Sequence, residues 1–259
     1  MSIRKDLQAA YILHARPYRD TSLLLDVLTQ YHGRVSLIAR GVRKPKNNQR
    51  YLLQPFIPLL LSWQGKSQLK TLVGIEARTL STDAMSPPTA THMLQAHHGL
   101  LGDRLYSALY VNELLVYLMN QEDPSTQLYD QYELLLQRLQ QQQPLEACLR
   151  YFEFEVLSEL GYGINFFTEA ETDQAISADK YYYFITDKGF IDTTNHPHIR
   201  DMSYLGADLL ALQQGNLDDG NARAAAKNIT RTALRPHLRG RKLKSRELFM
   251  VQKPNSSST

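Results

Sequence analysis

Five cations fall between Ile38 and Phe56 with no acid among them: Arg40, Arg43, Lys44, Lys46 and Arg50, in IARGVRKPKNNQRYLLQPF. A formal net charge of +3 over 259 residues gives no reason for such a block in one stretch. Cations at this density suit a row of phosphates. Neutralising a nucleic-acid backbone releases its counterions, and a planar guanidinium meets phosphate oxygens two at a time and stacks on bases. Arg16 and Arg19 in HARPYRD and Arg34 in GRVSLIA extend the set. Tyr31, Tyr51 and Trp63 are candidate platforms for base stacking, with core packing the competing role, above all for Trp63.

A second set is regular. Arg223, Lys227, Arg231, Arg235 and Arg239 recur every four residues, which on a helix makes a slowly drifting stripe. Pro236 weakens the helix near its end, so Arg239 is expected at its edge or outside it. Arg241, Lys242, Lys244 and Arg246 follow in RGRKLKSREL. Like charges at this spacing destabilise a helix, so something must compensate them. Two compensators are open. One is phosphate. The other is the chain's own middle, since residues 112–174 carry two Lys/Arg against twelve Asp/Glu, net −10. By contrast, residues 1–50 carry ten against three, net +7, and residues 223–246 nine against none, net +9.

Groupings that would support catalysis are poor. His92, His97 and His98 lack the i, i+4 spacing of a helical metal pair, and His196 and His198 have no carboxylate or thiol beside them. Glu169, Glu171 and Asp173 do not follow a calcium-loop pattern, and no Walker-type phosphate loop is present. The expectation is a protein without enzyme activity, and without a metal or cofactor. The single cysteine, Cys148, cannot form an internal disulfide, and the apolar run Ala9 to Leu13 is too short for a signal peptide core. Aliphatic runs such as Leu59 to Leu61 are far below a membrane span. The expected location is the cytoplasm.

The elements that must position these residues change character along the chain. LQAAYILHARPY, TSLLLDVLTQ, GRVSLIARGV, PFIPLLLSWQ and LKTLVGIEARTL read as strands divided by turn signals. Val35, Leu37 and Ala39 alternate with Arg34, Ser36 and Arg40, which puts the arginines on a polar strand face. Five short strands in eighty residues favour a five-stranded oligonucleotide-binding (OB) barrel over residues 1–80. STDAMSPP is a linker, and helical spacing begins at Leu94. Helices are predicted up to Leu118, over Ser125 to Gln140 and over Leu145 to Leu160, with Gly161 ending the last. This gives a helical part over 81–160. Residues 161–200 hold a hairpin turning at Asp187-Lys188-Gly189. A second helical part spans 201–250, with helices at Arg200 to Gln213 and Asn221 to Leu238, and 251–259 is a disordered tail. The class is α+β.

In this order the segments resemble a known family. AYILHARPYRDTSLLLDVLTQYHGRVSLIARGVR, LQPFIPLLLSW, YVNELL, LRYFEFEVLSELGYG and AAKNITRTALRPHLRGRKLKSRELF are similar to the bacterial recombination mediators of the RecO family, over nearly the whole chain. The resemblance implies an N-terminal OB barrel, a helical domain, and binding of single- and double-stranded DNA. It further implies annealing of complementary strands coated by single-stranded DNA-binding protein (SSB), and cooperation with RecR in loading RecA. Many members carry a four-cysteine zinc site after Gly-Tyr-Gly. Here Gly161-Tyr162-Gly163 is followed by INFFTEAETDQAI, so a thiolate site is ruled out and the hairpin is expected to be held by aromatic packing. The DNA-binding candidates are Arg16, Arg19, Arg34, Arg40, Arg43, Lys44, Lys46, Arg50, Arg231, Arg235, Arg239, Arg241 and Lys242. The family engages an acidic SSB tail ending in an aromatic residue and a carboxylate. Arg150, with Tyr110, Leu114 and Leu118, is the candidate pocket for that tail, and an intrahelical pair of Arg150 with Glu146 or Glu153 is the competing role. The alternative to a mediator is a passive OB-type binder of nucleic acid without SSB contact. A third reading, a metal-dependent nuclease using the acidic loop, has poorly spaced carboxylates.

Overall fold

The structure is a computed structural model that describes residues 4–45, 49–78, 100–194 and 197–251. Lys46, the linker from Ser81, the expected helix start at Leu94 and the tail after Val251 lie outside these residues. In chain order the strands are β1 (Arg4–Tyr18), β2 (Ser22–Thr29), β3 (Gly33–Ala39), β4 (Leu59–Gln64), β5 (Leu69–Ala77), β6 (Tyr181–Ile185), β7 (Gly189–Asp192) and β8 (Tyr204–Leu205). The helices are α1 (Asp103–Leu118), α2 (Thr126–Gln140), α3 (Leu145–Glu159), α4 (Gly206–Gln213), α5 (Gly220–His237) and α6 (Ser245–Val251). They form two compact units, Met1–Gln141 with Leu243–Thr259, and Gln142–Lys242. The sequence places boundaries at residues 80 and 160. By compactness α1 and α2 group with the barrel, and α6 returns to that unit.

In the first unit β1 to β5 close a barrel in the order β1-β2-β3-β5-β4. All pairings are antiparallel except β3 with β5, where Ser36–Ile38 run parallel to Leu69–Thr71. The alternation read in β3 sends Val35, Leu37 and Ala39 inward, against Ile12, Leu25, Val27, Leu59, Leu61 and Trp63. Burying each such side chain stabilises the fold by about 1.5–3 kcal/mol. A bulge between Ile12 and His14 bends the long β1, which pairs with β4 through its first half and β2 through its second.

The outer wall of β1 is covered by α1 and α2. Asn112 Nδ2 donates to the Leu13 carbonyl (2.9 Å) and Tyr132 OH to Asn112 Oδ1 (2.7 Å). Tyr11 packs against the rings of Tyr129 and Tyr132. Arg78, just after β5, pairs with Glu133 at 2.6 Å and lies over Tyr11 and Tyr129. Burial pushes both phenols far above the usual tyrosine range, so they stay protonated at any physiological pH. α2 starts where expected because Ser125 Oγ accepts the Leu128 N–H at 3.0 Å.

α6 docks on α1 through Phe249 against Tyr106 and Arg246 over the Tyr110 ring. Its N-terminus is capped by Glu113 of α1, whose carboxylate accepts the N–H groups of Lys244 and Ser245 at 2.9 Å and the Ser245 hydroxyl at 2.7 Å. Burial alone would raise the Glu113 pKa, but these hydrogen bonds outweigh it and hold the carboxyl below the ordinary value.

In the second unit α3 packs against α5, and α5 against α4. Gly161 (φ +83°) ends α3 as expected: its N–H meets Ser158 O, and Tyr162 N–H meets Leu157 O. The hairpin β6–β7 forms where expected, with Tyr182 and Phe184 buried and Asp187 and Gly189 at positive φ. The rings of Phe154, Phe166, Phe190 and Phe184 pack in series at 5.2–5.5 Å under it. The helix expected over Arg200 to Gln213 is shorter. A 3-10 turn at Pro197–Met202 and strand β8 precede it, and α4 starts only at Gly206. Tyr204 and Leu205 are held by pairing with Tyr182 and Tyr181. A Cβ on Gly206 would lie 1.9 Å from Ser177 O, so only glycine fits there.

Candidate nucleic-acid interface

The register of β2 and β3 pairs Leu23 with Ala39. Arg40 therefore emerges at the barrel end where the β1–β2 turn, Arg19 to Thr21, also sits. A cleft of about 740 Å³ opens there, lined by Tyr18, Arg19, Thr21, Ser22, Arg40 and Lys44 among others, with Asp20 its single acid. Arg19, Arg40 and Lys44 are exposed. Cations and hydroxyls suit phosphate, and Tyr18 offers an aromatic side. Arg19 sits in the left-handed region (φ +51°) with its guanidinium 5.3 Å from the Tyr18 ring.

Arg43 has a different task from its neighbours. Its guanidinium donates to Arg19 O (3.0 Å) and its N–H to Thr21 O (2.9 Å), clamping the start of the basic loop to the β1–β2 turn. Gly41 (φ +70°) makes that bend. The described part of the loop, to Pro45, is thus braced against the β1–β2 turn. Arg50 and Tyr51 are exposed in a 3-10 turn whose Leu52 is buried in the barrel core. Arg16 is exposed on β1, before Tyr18.

Arg34 does not join this edge. Its NH1 pairs with Asp26 at 3.0 Å, its Nε donates to Met119 O at 3.1 Å, and its own carbonyl accepts the Glu122 N–H. Gln121 Nε2 donates to Ser36 Oγ, and Lys70 pairs with Glu122. The segment after α1 therefore covers the first half of the polar face of β3. Among the aromatic candidates, Trp63 is 1% exposed and belongs to the core. Tyr31 is exposed, but at the opposite end of the β2–β3 hairpin from the cleft.

The second set divides. In α5, Arg223 donates to the carbonyls of Leu217 (2.8 Å) and Asp218 (2.6 Å), and Lys227 pairs with Glu146 at 2.9 Å. Arg231 and Arg235 are exposed on the face opposite the buried Ala222, Ala226, Ile229 and Ala233. α5 ends at His237, so Arg239 (φ +49°) lies outside it as expected, exposed, with Arg241 and Lys242 beyond. Of the two compensators, the acidic middle takes Lys227 alone, through Glu146, and backbone carbonyls hold Arg223. Own-chain groups hold the first two cations, while Arg231, Arg235 and Arg239 make no ion pair among the described residues.

Arg150 is 5% exposed, paired with Glu153 at 3.0 Å, and donates to Thr230 Oγ1 at 3.2 Å. It lies inside the second unit, where the intrahelical pair takes it. Tyr110, Leu114 and Leu118 are buried in the first unit, Tyr110 beneath Arg246. Tyr18, Thr21 and Ser22 escaped the sequence reading. Their signal was the Arg19-Asp20 turn, which brings both hairpin arms beside Arg40. Among the described residues no group of three or more His, Cys, Asp or Glu is placed to hold a metal. No described helix is long and apolar enough to cross a membrane.

Two family models match the chain. Recombination protein O N terminal covers residues 1–80, and Recombination protein O C terminal covers residues 101–247. The chain is 44% identical to the DNA repair protein RecO of Cellvibrio japonicus over 255 residues, 98% of this chain and 100% of that one. It is 38% identical to the DNA repair protein RecO of Aliivibrio salmonicida over 248 residues, 96% and 97% of the two chains. The protein of the same name from Haemophilus influenzae is 39% identical over 248 residues, 95% and 97%.

Proposed function

The chain belongs to the RecO family, and from that premise we propose that it is a DNA-repair mediator of recombination that brings DNA strands together without a catalytic residue. It binds single- and double-stranded DNA, anneals complementary strands coated by SSB through contact with the SSB C-terminal tail, and with RecR promotes RecA loading in the cytoplasm. The observation that carries the DNA contact is the cationic barrel end, where Arg19, Arg40 and Lys44 face one cleft and Arg43 holds its two sides together. Annealing needs only that the repulsion between two phosphate backbones be lowered, which a second cationic face at Arg231, Arg235 and Arg239 favours. The reading of SSB, RecR and RecA as partners is supported by the family resemblance alone. Arg150, spent on Glu153 and Thr230, is not assigned to the SSB tail.

The test is annealing of complementary strands coated with full-length SSB or with SSB lacking its last residues. The mediator reading expects annealing to collapse with the truncated SSB. Equal annealing on both would leave a passive OB-type binder.

A further inference from the structure

One exposed aromatic stack belongs to no role described so far. Tyr162 follows the end of α3, and its ring stacks on His237 at a centroid distance of 4.0 Å and an interplanar angle of 39°. Tyr162 nonetheless remains 45% exposed. Both partners are fixed. The Tyr162 N–H bonds to Leu157 O as part of the α3 cap, and His237 is the last residue of α5, which packs against α3. A large ring fixed in a stack, yet still open to solvent, has area to offer a further ring.

Its surroundings name the ligand. His237 lies between Arg235 and Arg239, with Arg231 one turn before and Arg241 and Lys242 after. All five cations are exposed, and no acid occurs from residue 223 to residue 246. A fixed aromatic ring beside exposed cations is what an unpaired nucleic-acid strand uses: cations follow the phosphates, and the ring takes a base. A duplex has its bases already stacked and offers only phosphates. An acidic peptide uses the ring only if it carries an aromatic residue of its own, whereas every nucleotide brings a base.

We propose that Tyr162, backed by His237, is a base-stacking platform for single-stranded nucleic acid in the second unit. The inference rests on the reading of the α5 cations as a nucleic-acid surface. It adds that this surface distinguishes an unpaired strand from a duplex.

The experiment uses the full chain and three probes of equal length: oligo(dT), an abasic oligodeoxynucleotide and a duplex. Tyr162→Ala is expected to weaken oligo(dT) binding about tenfold, with abasic and duplex binding unchanged. Tyr162→Phe is expected to match the parent on all three. Charge reversal of Arg231, Arg235 and Arg239 is expected to weaken all three probes. If it weakens none, the cationic surface itself fails. If it weakens all three while Tyr162→Ala binds oligo(dT) like the parent, the platform alone fails. Tyr162→Trp gives a readout free of folding losses. Its emission is expected to be quenched by saturating oligo(dT) and unchanged by the abasic strand. Equal emission with both overturns the platform.

Discussion

At the scale of single residues, charge alone does not say what a cation does; its partners do. Arg34 and Arg40 share a strand pattern, yet Arg34 is tied to Asp26 and Met119 O while Arg40 lines the cleft. Charge reversal of Arg40 and Lys44 is therefore expected to weaken single-strand binding and flatten the slope of log affinity against log salt. Loss of two phosphate contacts lowers that slope by about 1.4. Arg34→Gln is expected to leave the slope unchanged and lower the melting temperature, and a flatter slope in that variant would return Arg34 to the interface. Arg150→Ala leaves Glu153 buried without its cation, which costs about 3–5 kcal/mol. Urea unfolding should show that loss, whereas replacing both partners with apolar residues of similar volume should restore much of it. The spacing of Arg150 and Glu153 was legible in the sequence. Their burial was not, because it depends on α5, including Thr230, closing over α3.

At the scale of elements, the barrel strands and most helices were legible because each carries its own signal: alternation in β3, Ser125 before α2, Gly161 after α3. What could not be read were elements set by distant partners. The 3-10 turn and β8 replace helix because Tyr204 pairs with Tyr182 and Gly206 lies against Ser177. The segment KLKSREL looks like a continuation of the basic stripe, but from Ser245 it forms α6, capped by Glu113 from 132 residues earlier. The Glu113 carboxyl is held below its ordinary value of 4.5 in the folded protein. Its contribution is thus present above the unfolded pKa and lost as pH falls through the folded one. Glu113→Gln is expected to cost about 1 kcal/mol at neutral pH. The difference from the parent should shrink below pH 4.5, which urea titrations at pH 7 and at lower pH would measure. A constant difference across that range would remove Glu113 as an anionic cap.

At the scale of the whole molecule, the two basic ends of the sequence become surfaces in two different units. Both were visible as charge runs, because unopposed cations need no knowledge of packing. Which members face solvent was not visible, because Arg43, Arg223, Lys227 and Arg246 are turned to internal tasks. If the two surfaces act on two strands, losing either should weaken single-strand binding without abolishing it, and impair annealing more. Variants reversed at Arg40 and Lys44, or at Arg231 and Arg235, should each keep a weakened single-strand binding through the other surface. Each should anneal complementary strands several-fold more slowly in a fluorescence energy transfer assay. Parental annealing rates in both would reduce annealing to one site.

The return of α6 to the first unit also sets an order of events during synthesis. The chain leaves that unit at Gln141 and rejoins it at Leu243. At about 5–20 residues per second, the ribosome takes roughly 5–20 s to make the segment between them. Throughout that interval Glu113 has no helix to cap, and Tyr106 and Tyr110 lack Phe249 and Arg246. The barrel unit thus stays unfinished on the nascent chain until the second unit has been made, and it gains the contacts of α6 only after that.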